Sequence, residues 1–136
     1  MNALFKKLNL GTHTDLVVLN APASFEPELA GLTGVSVKRA VSRPCAFAMA
    51  FVITVAELDA ASKKLGAACT GDAILWMVYP KGTSKKYRCE FNRDSGWAVL
   101  AAAGFEPVRM VAIDADWSAL RFRRVEYVKT MTRKKT

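Results

Sequence analysis

Histidine is almost missing from this sequence. His13 is the only one, and the three cysteines, Cys45, Cys69 and Cys89, never stand in a Cys-x-x-Cys pair. That leaves too few nitrogen and sulfur ligands for the common zinc sets, so no metal is expected. Ser–His and Cys–His catalysis are disfavoured as well, because His13 falls in a polar loop ahead of the first expected strand. An odd, widely spaced set of thiols reads as free cysteine in a reducing compartment. Cys89 stands amid Lys85, Lys86 and Arg88, cations that can lower a thiol pKa, although an inert thiol is the preferred reading.

Long apolar runs are also lacking. The longest, residues 46–55, is about half of what crosses a bilayer, so it reads as a buried strand and no membrane partner is expected. Lys6 and Lys7 near the N-terminus have no apolar stretch behind them, which makes no export signal. The expected location is the cytoplasm.

What is present suits one globular domain. The 136 residues are 51% hydrophobic and 24% charged, and a chain of this size buries roughly two-thirds of its unfolded surface without staples. The expected domain covers residues 1–128, followed by a basic, flexible tail at 129–136. Net charge is +8, gathered in two places. One holds Lys81, Lys85, Lys86, Arg88 and Arg93; the other runs from Arg121, Arg123 and Arg124 into Lys129, Arg133, Lys134 and Lys135. These read either as solvated faces and a frayed tail or as attraction to an anionic partner such as nucleic acid. Tyr87, Phe91, Phe122 and Tyr127 interleave with them as stacking platforms can, yet no recognised nucleic-acid motif is present.

Periodicity gives the elements. Leu4, Phe5 and Leu8 predict a short helix over residues 3–9, ended by Gly11. Residues 15–20 form a continuous apolar run, as in a strand covered on both faces. Ser24 is the expected cap of a helix reaching about Leu32, with Glu26, Pro27 and Glu28 in its first turn. Residues 35–41 alternate like a second strand, which Arg43-Pro44 breaks. Residues 46–54 are the third strand. Thr54 and Glu57 then have capping-box spacing, opening a helix with Leu58, Ala61 and Leu65 on one face that stops near Gly66. Residues 73–79 are a fourth, doubly buried strand, followed by a polar, basic loop at 80–91. Asn92 or Asp94 caps a helix carrying Trp97 and Leu100, closed by Gly104. A fifth strand at 108–113, a turn from Asp114 to Trp117 and a last strand at 118–127 complete the chain. Leu120 and Phe122 fall on one face of that last strand, Arg121 and Arg123 on the other. The order predicts an α/β fold: a three-layer, mostly parallel Rossmann-like sheet of about five to six strands, ending in an antiparallel hairpin.

Several stretches carry a resemblance. They are Asn20-Ala21-Pro22 with Phe25-Glu26, then Trp76 to Lys81, Asn92-Arg93-Asp94, Gly104-Phe105 and Ile113 to Ser118. Together these resemble a family of small bacterial proteins of unknown function with a Tyr-Pro-Lys loop and an Asp-x-x-Trp-Ser turn. The resemblance covers most of residues 10–125 and implies a bacterial origin and a compact α/β fold. The strand order is also similar to a shortened class I methyltransferase, but without its cofactor motif. The turn after the first strand, Asn20-Ala21-Pro22-Ala23-Ser24, has no glycine, and Glu26 and Glu28 would repel a phosphate. No acidic residue follows 35–41 to hold a ribose; Arg43 stands nearby instead. No cofactor is expected.

Ligands of open parallel sheets bind beyond the carboxyl ends of the strands. That edge gathers Asn20, Tyr79, Lys81, Arg93, Asp114, Asp116, Trp117 and Ser118 as candidate ligand-binding residues. Lys81 with Arg93 would hold an anion, an aspartate would accept a proton, and Trp117 would wall an apolar ligand. Each also has a structural reading: Asp114 and Asp116 as turn caps, Trp117 as core, Ser118 bonded within the turn. No catalytic constellation is identifiable, so the leaning is away from an enzyme. The first expectation is a small-molecule or anion-binding domain. An alternative is a protein-interaction module whose last strand is an exposed edge guarded by Arg121 and Arg123. A further alternative is nucleic-acid binding through the basic hairpin and tail. The oligomeric state is left open.

Overall fold

Two strands with apolar side chains on both faces form the middle of the sheet. The computed structural model describes residues 3–41, 45–91 and 96–128. Phe47–Phe51 (β3) and Ile74–Pro80 (β4) are buried along their whole length, which requires cover on both sides. Asp15–Leu19 (β1), Ser36–Lys38 (β2), Phe105–Ala112 (β5) and Trp117–Arg124 (β6) complete a six-stranded sheet of order β2-β1-β3-β4-β6-β5. β2, β1, β3 and β4 pair in parallel, whereas β6 is antiparallel to both β4 and β5. The chain is therefore α/β with a mostly parallel, Rossmann-like sheet, closed by an antiparallel hairpin.

Alternation along the strands sorts the core into two layers. Ala48, Leu75, Met77, Leu120 and Phe122 face Leu58 and Leu65 of Val55–Ala68 (α3) and Leu100 of Ala98–Ala102 (α4). On the opposite face Leu16, Met49, Trp76 and Val78 meet Phe5 of Ala3–Lys7 (α1) and Leu29 of Glu26–Ala30 (α2). The Trp76 indole N–H, fully buried, donates to the Leu8 carbonyl at 3.0 Å, so α1 is tied to the centre of the sheet. Among the described residues no helix is long and apolar enough to cross a membrane.

The Thr54 capping box forms as its spacing predicts. The Glu57 amide donates to Thr54 Oγ1 at 3.1 Å, and the Thr54 amide donates back to Glu57 Oε1 at 3.0 Å. The helix does not stop at Gly66 but continues to Ala68. Gly66 instead marks a close approach, since a Cβ there would lie 3.3 Å from Ala103 Cβ. Arg124 closes the helix end, donating to the Cys69 and Gly66 carbonyls at 2.6 and 3.2 Å.

Other boundaries move for identifiable reasons. Ser24 is not a cap: it lies inside a 3₁₀ turn, Ala23–Phe25, and α2 begins only after Phe25, without a side-chain cap. β2 shrinks to three residues because it is an edge strand, paired only with β1. β5 starts earlier than expected, at Phe105, because β6 pairs with it from there. Beyond Arg124 the chain turns helical over residues 125–128 instead of extending the strand. The Arg43-Pro44 break, the Asn92 or Asp94 cap and the 129–136 tail lie outside the described residues.

The last strand is not an edge. β6 sits between β4 and β5, so Arg121 and Arg123 guard nothing there. The outer strand is β5, which carries Pro107 and a bulge between Pro107 and Arg109, both of which discourage pairing with another chain. Arg123 instead makes a two-pronged ion pair with Asp72, at 2.7 and 2.6 Å, which holds the Asp72 carboxyl below its ordinary pKa.

The caps separate in a stability test. Thr54→Ala is expected to lower unfolding stability by about 1 kcal/mol in urea, whereas Ser24→Ala stays within about 0.5 kcal/mol. Equal losses at the two positions would contradict the assignment.

Candidate functional site

The carboxyl ends of β1, β3, β4 and β5 and the start of β6 lie along one edge of the sheet. Antiparallel register puts Tyr79 opposite Ser118 and Pro80 opposite Trp117. Tyr79, Lys81, Asp114, Asp116, Trp117 and Ser118 are therefore brought together at the β4–β6 end. Asn20 is not part of this group: it follows β1, on the far side of β3, and lines a separate cavity of about 600 Å³ with Arg39, Glu57 and Lys64. Arg93 lies outside the described residues.

The two aspartates organise the turn. Asp114 Oδ1 accepts from the backbone amides of Asp116 and Trp117 at 2.8 and 2.9 Å, an Asx turn that swings the chain from β5 into β6. Asp116 then grips the 81–91 loop. Its carbonyl accepts from the Lys81 amide at 2.8 Å, and its Oδ1 accepts from the Ser84 hydroxyl at 2.8 Å. The Ser84 oxygen in turn accepts from the Lys86 and Tyr87 amides. At the other end of the loop the Glu90 amide donates to the Ile53 carbonyl, and Glu90 Oε1 accepts from the Val55 amide at 2.8 Å.

This loop, held at both ends, encloses an open cleft of about 1010 Å³. Lys81, Lys85, Lys86 and Arg88 line it, together with Tyr79 and Ser118 from the strands. None of these four cations pairs with a carboxylate among the described residues. Trp117 does not line the cleft. It is 3% exposed, packed between Phe51 and Tyr87 with ring centroids 5.2 and 4.9 Å away. Its indole N–H has no acceptor among the described residues.

Of the three thiols only Cys89 lines the cleft. Cys45 and Cys69 are buried side by side, the Cys45 amide donating to the Ala68 carbonyl at 3.0 Å. Their mutual hydrogen bond lowers the Cys45 pKa and raises that of Cys69, which burial raises further. Burial pushes the Cys89 thiol up, so the cations beside it in sequence do not activate it. Among the described residues no group of three or more His, Cys, Asp or Glu side chains comes together as a metal site would require.

No family model and no curated protein matches the chain. Solved structures do match, at low identity. A possible exported protein from Bordetella parapertussis superposes with a TM-score of 0.59 at 10% identity, over 89% of this chain and 65% of that one. A SAM-dependent methyltransferase from Aquifex aeolicus gives a TM-score of 0.57 at 13% identity, over 88% and 86%. The N-methyltransferase NodS from Bradyrhizobium japonicum gives 0.52 at 13%, over 89% and 92%. The fold is thus similar to that of SAM-dependent methyltransferases, and the chain spans about two-thirds of the length of the Bordetella protein.

Fold likeness brings S-adenosylmethionine into question, and the residues do not fit it. A nucleoside at the β1–β2 ends needs a glycine turn and an acceptor for the ribose hydroxyls. Only Asn20 takes a left-handed backbone in that turn, at φ 59°. Arg39 follows β2, and its guanidinium is locked on Glu26 by two hydrogen bonds of 2.7 Å. The arginine holds the Glu26 carboxyl below its ordinary pKa. A donor thus stands where an acceptor is required, and the nearest carboxylate is engaged.

The 26–39 pair and the Ser84–Asp116 bond join distant residues, so no local spacing announces them. Asp116→Ala is expected to loosen the loop. Trypsin cleavage after Lys85, Lys86 and Arg88 of the folded protein should accelerate by about tenfold, the loss of a buried-end hydrogen bond. An unchanged cleavage rate would contradict the pinning role.

Proposed function

We propose that this chain is a binding domain for a small anionic molecule, held in the cleft beneath the 81–91 loop. The carrying observation is the set of four loop cations, without carboxylate partners among the described residues, that line a loop-enclosed cleft at the carboxyl edge. Such an array attracts an anion at long range and binds it through charge-assisted hydrogen bonds. On this reading Asp114 and Asp116 shape the site, Lys81 is a direct ligand, and Ser118 and Tyr79 form its base. The binding unit is one domain over residues 1–128 with a basic tail, in the reducing cytoplasm of a bacterium. The β1–β2 end, closed by Glu26 and Arg39, is left without a cofactor role.

Thermal-shift measurements with inorganic phosphate, pyrophosphate, citrate and mononucleotides test this. At about ten times its Kd, a ligand should raise Tm by roughly 3–6 °C. Lys81→Ala should weaken it about tenfold. A flat screen, or a shift undiminished in Lys81→Ala, would contradict the reading. Retardation of mixed-sequence DNA or RNA with a steep loss on added salt would favour nucleic-acid binding instead.

A further inference from the structure

The cleft is divided by polarity, and the division names a narrower ligand class. Its cations all come from the loop, while its floor is the face of the sheet that carries Tyr79 and Ser118 in register, with Met110 on the neighbouring strand β5. Tyr79 is packed against Phe91 and Trp97, and all but 5% of it is buried. Met110 is 39% exposed, one of the few large apolar side chains open to solvent among the described residues, and it lies at the cleft. A flexible thioether in that position is an adaptable surface for an apolar partner.

Ser118 is the second, independent observation. It is 8% exposed, lines the cleft, and its hydroxyl makes no hydrogen bond with any described residue. A hydroxyl at a cleft with no protein partner keeps both its donor and its acceptor capacity for a ligand. Ligand sites typically consist of an apolar lining with a few convergent polar groups of this kind. A bare oxyanion uses neither the methionine nor the apolar floor; the loop cations alone serve it.

We propose that the ligand is an amphipathic organic anion: an apolar, preferably planar body lies on Tyr79 and Met110, a polar atom meets the Ser118 hydroxyl, and the acidic head faces the loop cations. This rests on the anion-binding reading above and adds the apolar body to it.

Calorimetric titration of the full chain with inorganic phosphate and with phenyl phosphate separates the two ideas. Phenyl phosphate should bind about tenfold more tightly, from the area its ring buries. Met110→Ser should reduce that preference to about threefold or less while leaving phosphate affinity unchanged. Ser118→Ala should weaken phenyl phosphate about three- to tenfold. Methyl spectra of methionine-labelled wild-type protein provide a reading independent of variant folding: phenyl phosphate should shift the Met110 methyl signal and phosphate should not. Equal affinities for the two probes, or an unmoved Met110 methyl, would overturn this inference and leave the anion reading standing. Binding of neither probe would overturn both.

Discussion

The double burial of β4 is the constraint on which the rest of the molecule depends. All seven of its residues, Ile74–Pro80, are buried, so it must have a strand on each side and a layer of helix or loop on each face. β3 joins it in parallel and β6 in antiparallel fashion, which makes it the line where the sheet changes character. Trp76 in its middle fastens α1 through the Leu8 carbonyl. Its last residues, paired with Trp117 and Ser118, deliver the chain to Lys81 and fix where the loop begins. A slip of one residue here would exchange the two core faces and move the cleft with them.

From that line the carboxyl edge divides into unlike halves. At the β1–β2 end, a bidentate ion pair between Glu26 and Arg39 occupies the residues that a nucleoside cofactor would use. At the β4–β6 end, Asp114 shapes the turn and Asp116 ties the cationic loop to it through the Ser84 hydroxyl and the Lys81 amide, beside an open cleft. The backbone is similar in fold to SAM-dependent methyltransferases at 13% identity, while Glu26 and Arg39 pair with each other at the β1–β2 end. A shared fold therefore says where ligands can bind in this molecule, and the residues decide which.

Local signals carried much of this into the sequence. The continuous apolar runs of β1, β3 and β4 were readable because double burial excludes polar residues, and Thr54 with Glu57 was readable because a capping box has a fixed spacing. Ser24 misled because Pro22 and the 3₁₀ turn that follows it shift the helix start past the expected cap. Gly66 misled because a glycine needed for a close approach to Ala103 looks the same in sequence as one that ends a helix. The place of β6 inside the sheet was hidden, since strand order is a property of long-range pairing. Lys81 and 114–118 were legible as strand ends and lie at the β4–β6 end, but of them only Lys81 and Ser118 line the cleft, and Asn20 falls in a different cavity. Met110 gave no signal: only the register of β5 against β6 shows that it reaches the cleft.

The proposed function places ligand binding at the β4–β6 end of the carboxyl edge and not at the β1–β2 end. Backbone amide chemical shifts, followed while S-adenosylhomocysteine and phenyl phosphate are titrated in separately, test it most directly. The account predicts that phenyl phosphate perturbs residues 79–91 and Ser118, and that S-adenosylhomocysteine leaves residues 19–22 and 39–41 unmoved. Saturable shifts centred on Asn20 and Arg39 with S-adenosylhomocysteine, and none around Lys81 with either compound, would contradict it.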